Sequence, residues 1–159
     1  MVENKVTEFF KAKGFPLVAQ FTGEDTATVA KAAAGLGVEE GRIAKSLAFL
    51  LKDGTPIILV AEGTARIDNR KYKDTFGCKA AMLSHEDTLQ VTGHPVGGVC
   101  PFALPETVKV YLDASLKKYD TVFPAAGTPD SAVCVEVARF SEYTGGEWVD
   151  VCKLPEAAL

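Results

Sequence analysis

The spacing of apolar residues changes period along the chain, and the changes mark its elements. Val6, Phe9, Phe10 and Lys13 recur at helical spacing between residues 3 and 13, and Gly14 and Pro16 follow as stop signals, so an opening amphipathic helix is predicted. A second helix is expected after Asp25 or Thr26, either of which would cap it. Val29, Ala33 and Leu36 share its face, and Gly35 and Gly37 end it. Residues 43–51 and 56–61 are strand-like runs around Lys52-Asp53-Gly54-Thr55, and an Asp-Gly pair between two such runs predicts a central β-hairpin. Further on, Asp68 would cap a short helix running through Lys73 and closed by Gly77. Residues 79–83 read as a strand, and Ser84 with Asp87 opens another short helix ending at Gly93. Strand-like runs follow at residues 107–112, 121–123 and 132–137. Short helices interleaved with hairpins predict an α/β fold, a mixed β-sheet flanked by helices, and not a regular βαβ array.

Composition adds the scale. A chain of 159 residues, 47% hydrophobic and 24% charged, fits one globular domain spanning residues 1–159, with no repeat or linker. The longest apolar run, residues 56–61, is far too short to cross a membrane. The first residues lack the basic and then apolar order of a signal peptide, so a cytoplasmic protein with no membrane contact is expected. Seventeen basic against 21 acidic residues give a net charge of −4, which argues against binding long nucleic acid by phosphate neutralisation but leaves room for a local contact with a nucleic-acid end. Cys78, Cys100, Cys134 and Cys152 are irregularly spaced with no CxxC pair, and read as reduced core thiols in preference to a zinc site.

Several residues carry candidate chemistry. By strand alternation Lys45 shares a face with Leu47, Phe49 and Leu51, while Ala44, Ser46, Ala48 and Leu50 occupy the other. A lysine among apolar neighbours is costly to desolvate unless it meets an anion or a cleft mouth; a strand-end lysine snorkelling to water is the plainer account. The loop from Gly93 to Pro101 holds three glycines and two prolines, a combination that brings backbone N–H groups close to an oxyanion in a restricted conformation. It could equally be a rigid connection, and it matches neither the Walker loop nor the dinucleotide fingerprint. His94 is placed to line such a site, whereas neither His94 nor His85 has partners at metal-ligand spacing. Cys100 has only His94 as a nearby base and reads as packing rather than as a nucleophile. Arg66, Arg70, Lys71 and Lys73 cluster around Tyr72, either as a phosphate-rich partner would favour or as a solvated helix face. The weaker Lys117-Lys118-Tyr119 cluster reads as solvated surface.

Taken together, these residues resemble the YbaK and prolyl-tRNA-synthetase-associated family of aminoacyl-tRNA editing domains over nearly the whole chain. The resemblance is carried by Ala32-Ala33 with Leu36-Gly37-Val38, by Ile43-Ala44-Lys45-Ser46-Leu47, and by the segment from Gly93 to Phe102 with Gly97 four residues before Pro101. The ordered pair, lysine strand and then Gly-x-x-x-Pro loop about fifty residues later, makes it specific. The chain departs from the family pattern at Ala103, where a glycine is frequent, and in the segment from Ala125 to Ser131, which is less glycine-rich than in many relatives.

The resemblance implies a free-standing aminoacyl-tRNA deacylase that removes a small non-cognate amino acid from tRNA-Pro or a related tRNA. Lys45, Gly97 and Gly98 would be its catalytic residues, with Lys45 contacting the terminal phosphate or the substrate. His94, Val99, Cys100, Pro101 and Phe102, together with Asp130 and Ser131, would contact the substrate. Arg66, Arg70, Lys71 and Lys73 would bind the tRNA. An aminoacyl ester is already activated, so a positioned water and loop N–H groups, each contributing about 3 to 4 kcal/mol when well aimed, suffice without a triad. No metal or cofactor is implied. The partner is mischarged aminoacyl-tRNA, delivered by an aminoacyl-tRNA synthetase or an elongation factor. Two alternatives stay open: a hydrolase of a small nucleotide or acyl ester, which would need Lys45 and the loop but not the basic cluster, and a non-catalytic nucleic-acid-binding module, which would need only the cluster.

Overall fold

The computed structural model of the protein describes residues 5–23, 28–95 and 97–155. In chain order the first half contains α1 (Lys5–Lys13), β1 (Ala19–Phe21), α2 (Val29–Leu36), β2 (Ile43–Leu50), β3 (Pro56–Glu62), β4 (Arg66–Ile67), α3 (Asn69–Phe76) and α4 (His85–Thr92). The second half contains β5 (Lys109–Asp113), β6 (Thr121–Pro124), β7 (Ser131–Val133), β8 (Val135–Glu136), α5 (Val137–Thr144), β9 (Glu147–Val149) and β10 (Cys152–Lys153). Six strands form one mixed sheet in the order β8-β6-β2-β3-β5-β9, and two short antiparallel ribbons, β1 with β7 and β4 with β10, lie beside it. This is the mixed sheet flanked by helices that the sequence predicts.

Local chemistry sets most boundaries. The β2–β3 hairpin turns where the Asp-Gly pair predicts it: Gly54 takes φ 92°, and the Leu51 N–H donates to the Thr55 carbonyl at 2.9 Å. Helix α3 starts as expected, with Asp68 accepting from the Arg70 and Lys71 N–H groups, but it runs past Lys73 to Phe76 before Gly77 closes it at φ 74°. Ser84 caps α4 by accepting from the Asp87 N–H, and Gly93 ends it. Helix α2 is capped by Thr28, whose hydroxyl accepts from the Lys31 N–H; the expected caps Asp25 and Thr26 lie outside the described residues.

Three expectations need correction. Residues 79–83 do not form a strand: they touch β2 through one bridge, Phe49 with Met82, and two hydrogen bonds, because they meet only the last residues of β2. The run 132–137 splits. Its first part pairs with β1, its second with β6, and Val137 opens α5, whose buried Val137, Phe140 and Tyr143 recur every three residues. Cys134 falls at the split and is exposed, although all four cysteines are free thiols as predicted.

The sheet separates two apolar layers. On one face Ala44, Ala48, Ile58, Val60 and Leu112 pack against Val6 and Phe10 of α1, Phe140 and Tyr143 of α5, and Phe102. On the other, Phe49, Ile57, Leu59 and Ala61 pack under Tyr72 of α3, beside Val151 and Cys152. Helix α2 covers Ile43 and Phe123 on that second face, toward the β6 side. Lys45 and Leu47 share this face of β2 with Ile43 and Phe49 and lie between them, so they stand between the α2 cluster and the α3 cluster.

Candidate active site

A cavity of about 320 Å³ opens at this interval. Strand β2 is paired on its outer edge with β6 only at Ile43 and Ala44. The edge is engaged again further on, where the Leu83 N–H donates to the Ala48 carbonyl and the Leu50 N–H to the Ala81 carbonyl. Between these points, among the described residues, the edge at Ser46 has no partner strand and the buried Ser46 Oγ has no hydrogen-bond partner. The cavity wall includes Val29 and Ala32 of α2, Ile43 to Ala48 of β2, Phe123 of β6, His85 and Thr88 of α4, and Gly97, Val99, Ala125 and Ser131.

Lys45 lines the cavity, and its ammonium donates to the carbonyls of Ala65 and, at 3.3 Å, of Gly63. An ammonium has three donors, so two backbone acceptors leave one for a ligand. Burial lowers the Lys45 pKa, and the positive charge of Arg66 adds to that; the nearby Cys152 and Glu62 act in the opposite sense. The lysine that looked out of place between apolar neighbours is therefore a half-buried cation tethered by carbonyls at a cavity edge.

The glycine loop forms the facing wall. Gly97, at φ 90°, is the third residue of a turn closed by the Gly98 N–H donating to the Pro95 carbonyl at 2.9 Å, a conformation that calls for glycine. Gly98 lies flat on the segment 127–128, where a Cβ would stand 2.7 Å from backbone atoms of Gly127 and Thr128. That second segment is itself fastened by Ser131, whose hydroxyl accepts from the Ala126 and Thr128 N–H groups and donates to the Thr128 carbonyl. Asp130 accepts from the Thr128 hydroxyl at 2.6 Å, and its carbonyl accepts from Thr22 at 2.9 Å.

Of the predicted substrate contacts, Val99 and Ser131 reach the cavity with Lys45 and Gly97, whereas His94, Cys100, Pro101, Phe102, Gly98 and Asp130 do not line it. His94, Cys100 and Phe102 are fully buried behind the loop. The His94 Nε2 hydrogen-bonds the Phe102 carbonyl at 2.7 Å and lies 3.6 Å from the Cys100 Sγ. Burial holds the His94 pKa low and pushes the Cys100 thiol up to about 12, so neither is a ready base or nucleophile. The Phe102 ring packs edge-on against Phe10 with centroids 4.9 Å apart. These residues brace the loop from inside. The histidine on the wall is His85, which its spacing gave no reason to select.

The basic cluster is divided. Arg66, Arg70 and Lys73 are exposed, whereas Lys71 is tied to Asp150 at 3.1 Å and to the Cys152 carbonyl at 3.2 Å. Behind the cavity edge lies a buried carboxylate that no motif marks, Glu62, which accepts from the Thr64 N–H and hydroxyl and pairs with Lys118 at 2.7 Å. Burial opposes its ionisation, but the bonds from Lys118 and Thr64 outweigh that and hold its carboxyl below the usual range. Its only sequence signal is an acidic residue ending an apolar strand before a glycine.

Residues 23–143 match the model of the aminoacyl-tRNA editing domain. The chain belongs to the aminoacyl-tRNA editing domain family. It is therefore a hydrolase of the class that acts on mischarged tRNA. It is 46% identical over 152 residues to YwhH of Bacillus subtilis, covering 95% of this chain and 88% of that protein. It is 25% identical to the "Putative Cys-tRNA(Pro)/Cys-tRNA(Cys) deacylase EbsC" of Enterococcus faecalis, covering 80% and 79% of the two chains. A proline–tRNA ligase of Geobacter matches 62% of this chain at 32% identity through 17% of its own length, as an editing domain within a larger enzyme would. Among solved structures, the "Crystal structure of a putative trans-editing enzyme for prolyl tRNA synthetase" superposes with a TM-score of 0.86 at 26% identity, covering 96% and 99% of the chains. Among the described residues of this editing domain, no helix is long and apolar enough to cross a membrane.

Proposed function

We propose that this editing domain acts as a free-standing cytoplasmic deacylase that hydrolyses the ester of a tRNA carrying a small non-cognate amino acid, with tRNA-Pro or a related tRNA as substrate. The observation that carries this reading is the pairing, across one small and mostly apolar cavity, of a tethered ammonium and a glycine turn. Val29, Ala32, Ile43, Leu47, Val99 and Phe123 suit a compact aminoacyl group rather than a long charged side chain. Similarity to a protein described as a Cys-tRNA(Pro)/Cys-tRNA(Cys) deacylase, and to one described as a trans-editing enzyme for prolyl tRNA synthetase, supports the choice of tRNA.

In this reading the aminoacyl carbonyl lies against the turn at Gly97, whose backbone N–H meets the developing oxyanion, while Gly98 serves by holding that turn closed on the Pro95 carbonyl. Water attacks the carbonyl carbon, the ester C–O bond breaks, and the ribose oxygen leaves with a proton. The neighbouring ribose hydroxyl positions the water, so no protein base is required. Lys45 holds the ester end or the terminal phosphate with its free donor. Arg66, Arg70 and Lys73 contact phosphates of the acceptor end, and the tRNA is delivered by an aminoacyl-tRNA synthetase or an elongation factor.

The test is a panel of tRNAs, each charged with a cognate or non-cognate amino acid and incubated with the wild type and with Lys45→Ala. The expected result is release of one or a few small non-cognate residues by the wild type and none by the variant. Equal rates for wild type and variant, or hydrolysis of simple acyl esters in place of every tRNA, would overturn it.

A further inference from the structure

The ribbon of β4 and β10 places Arg66 directly opposite Lys153. Residues opposite each other in an antiparallel pair project to the same face with Cβ atoms about 5 Å apart, and like charges in that position destabilise the pair. Their neighbours across the same ribbon, Ile67 and Cys152, face the interior, and Cys152 is buried in the α3 layer. Arg66 and Lys153 thus project outward together. Both are exposed, and among the described residues neither forms an ion pair. Asp68 lies close enough to feel the Lys153 charge but spends its carboxylate on the cap of α3 and makes no ion pair with it, and Asp150 pairs with Lys71.

The ribbon also adjoins the cavity. The Ala65 carbonyl that holds the Lys45 ammonium immediately precedes Arg66, and the Arg66 charge is close enough to act on Lys45. Three cations therefore follow one another from the cavity outward: Lys45, Arg66 and Lys153. A cross-strand pair of like charges that costs stability in the free protein is explained if an anion normally sits between them.

We propose that Arg66 and Lys153 form a seat for a phosphodiester of the nucleic-acid strand whose ester end lies at Lys45. This rests on the tRNA-deacylase reading above and deepens it: Lys153, at the far end of the sequence, joins the binding surface, while Lys71 serves the fold through Asp150. The strand leaves the cavity along the ribbon and not over the body of α3. Two cations on adjacent strands span a single phosphate, or two successive ones, as a flexible single-stranded end presents them.

The experiment compares wild type, Arg66→Gln/Lys153→Gln and the control Lys52→Gln, which removes a charge at the opposite end of the hairpin. Binding of uncharged tRNA is measured across a salt series, deacylation of mischarged tRNA is resolved into kcat and KM, and thermal melting is followed. The double variant is expected to flatten the slope of log affinity against log salt by about 1.4, at roughly 0.7 per lost contact. It should also raise KM tenfold or more with kcat held, and melt at the same or a higher temperature because a repulsion has been removed. Lys52→Gln should leave the slope within about 0.3 of wild type, since it touches no phosphate in this arrangement. A double variant with the wild-type slope and KM would overturn the seat, as would a slope change matched by Lys52→Gln. Lowered melting together with lowered kcat would show a structural role instead and would also overturn it. Failure of the wild type to release any amino acid from tRNA would sink the deacylase reading itself, which these outcomes keep separate.

Discussion

Gly98 rests on Thr128 so closely that a Cβ at position 98 would stand 2.7 Å from the Thr128 nitrogen, with no flexible side chain in between to give way. Two loops distant in sequence therefore share one surface. Gly98→Ala must displace the turn at Gly97, and a shift of about 1 Å in a positioning element costs on the order of a hundredfold in rate. Deacylation by Gly98→Ala should fall at least that far. Gly54→Ala, strained by its φ of 92° but in the remote hairpin turn with nothing for its Cβ to strike, should keep wild-type kinetics. Comparable activity of the two variants would show that the packing of the two loops is irrelevant to the reaction.

Burial lowers the Lys45 pKa, so the ammonium is less stable in the folded protein than in the unfolded chain. The sign follows from linkage. Below the folded pKa the charged group costs stability, and that cost fades as pH rises through the folded value toward the ordinary lysine value. Lys45→Met should then melt at or above the wild-type temperature at pH 7 while losing deacylation. In the wild type, activity that needs the cation should decline in the alkaline range with a midpoint below 10.5. A nitrogen-detected NMR titration of the lysine ammonium groups would locate that midpoint directly.

The four thiols should separate by environment. Cys134 is exposed and Cys78 half-buried, whereas burial pushes Cys100 and Cys152 up to about 12. A chromogenic disulfide at pH 8 should modify Cys134 first, Cys78 more slowly, and the other two only after denaturation. Mass spectrometry of the labelled peptides gives the order. Full labelling of Cys134 should leave deacylation unchanged, since it lies outside the cavity wall.

Ala103 is the one described non-glycine residue with positive φ, at 53°. The left-handed conformation costs an ordinary L-residue about 1 to 2 kcal/mol. Ala103→Gly relieves that strain and adds backbone entropy to the unfolded chain, which returns part of the gain. A net stabilisation of about 1 kcal/mol or less is expected, read by denaturant midpoint. Position 103 is thus one where the backbone itself asks for glycine.

The legible parts of the fold were those fixed by neighbours in sequence. The Asp53-Gly54 turn, the Asp68 and Ser84 caps and the closing glycines at 77 and 93 each act within one turn of chain. The two ribbons are different, since each involves only two or three residues per strand and exists because of a partner far away in the chain. Lys45, Gly97 and Val99 could be picked out because a cation in a strand and a glycine-dense loop are locally expensive. Val29, Ala32 and Phe123 could not, because ordinary apolar residues become cavity walls only through the docking of α2 on β2 and β6. His94 misled for a third reason. Reactivity belongs to its side chain, but burial turned it into a brace.

The short β10 strand has a consequence for how the protein comes into being. Val151 accepts from the Asp68 N–H and donates to Asp113 at 2.8 Å, and Cys152 and Lys153 pair with Ile67 and Arg66. A chain growing on the ribosome can form the hairpin and bury much of the sheet early, yet the ribbon beside Lys45 waits for nearly the last described residues to emerge. Long-range closures of this kind come late and slowly. A chain cut before Val151 would thus carry Lys45 and the glycine turn but lack the strand that pairs Arg66 and Ile67 and the carbonyl that holds the Asp68 N–H.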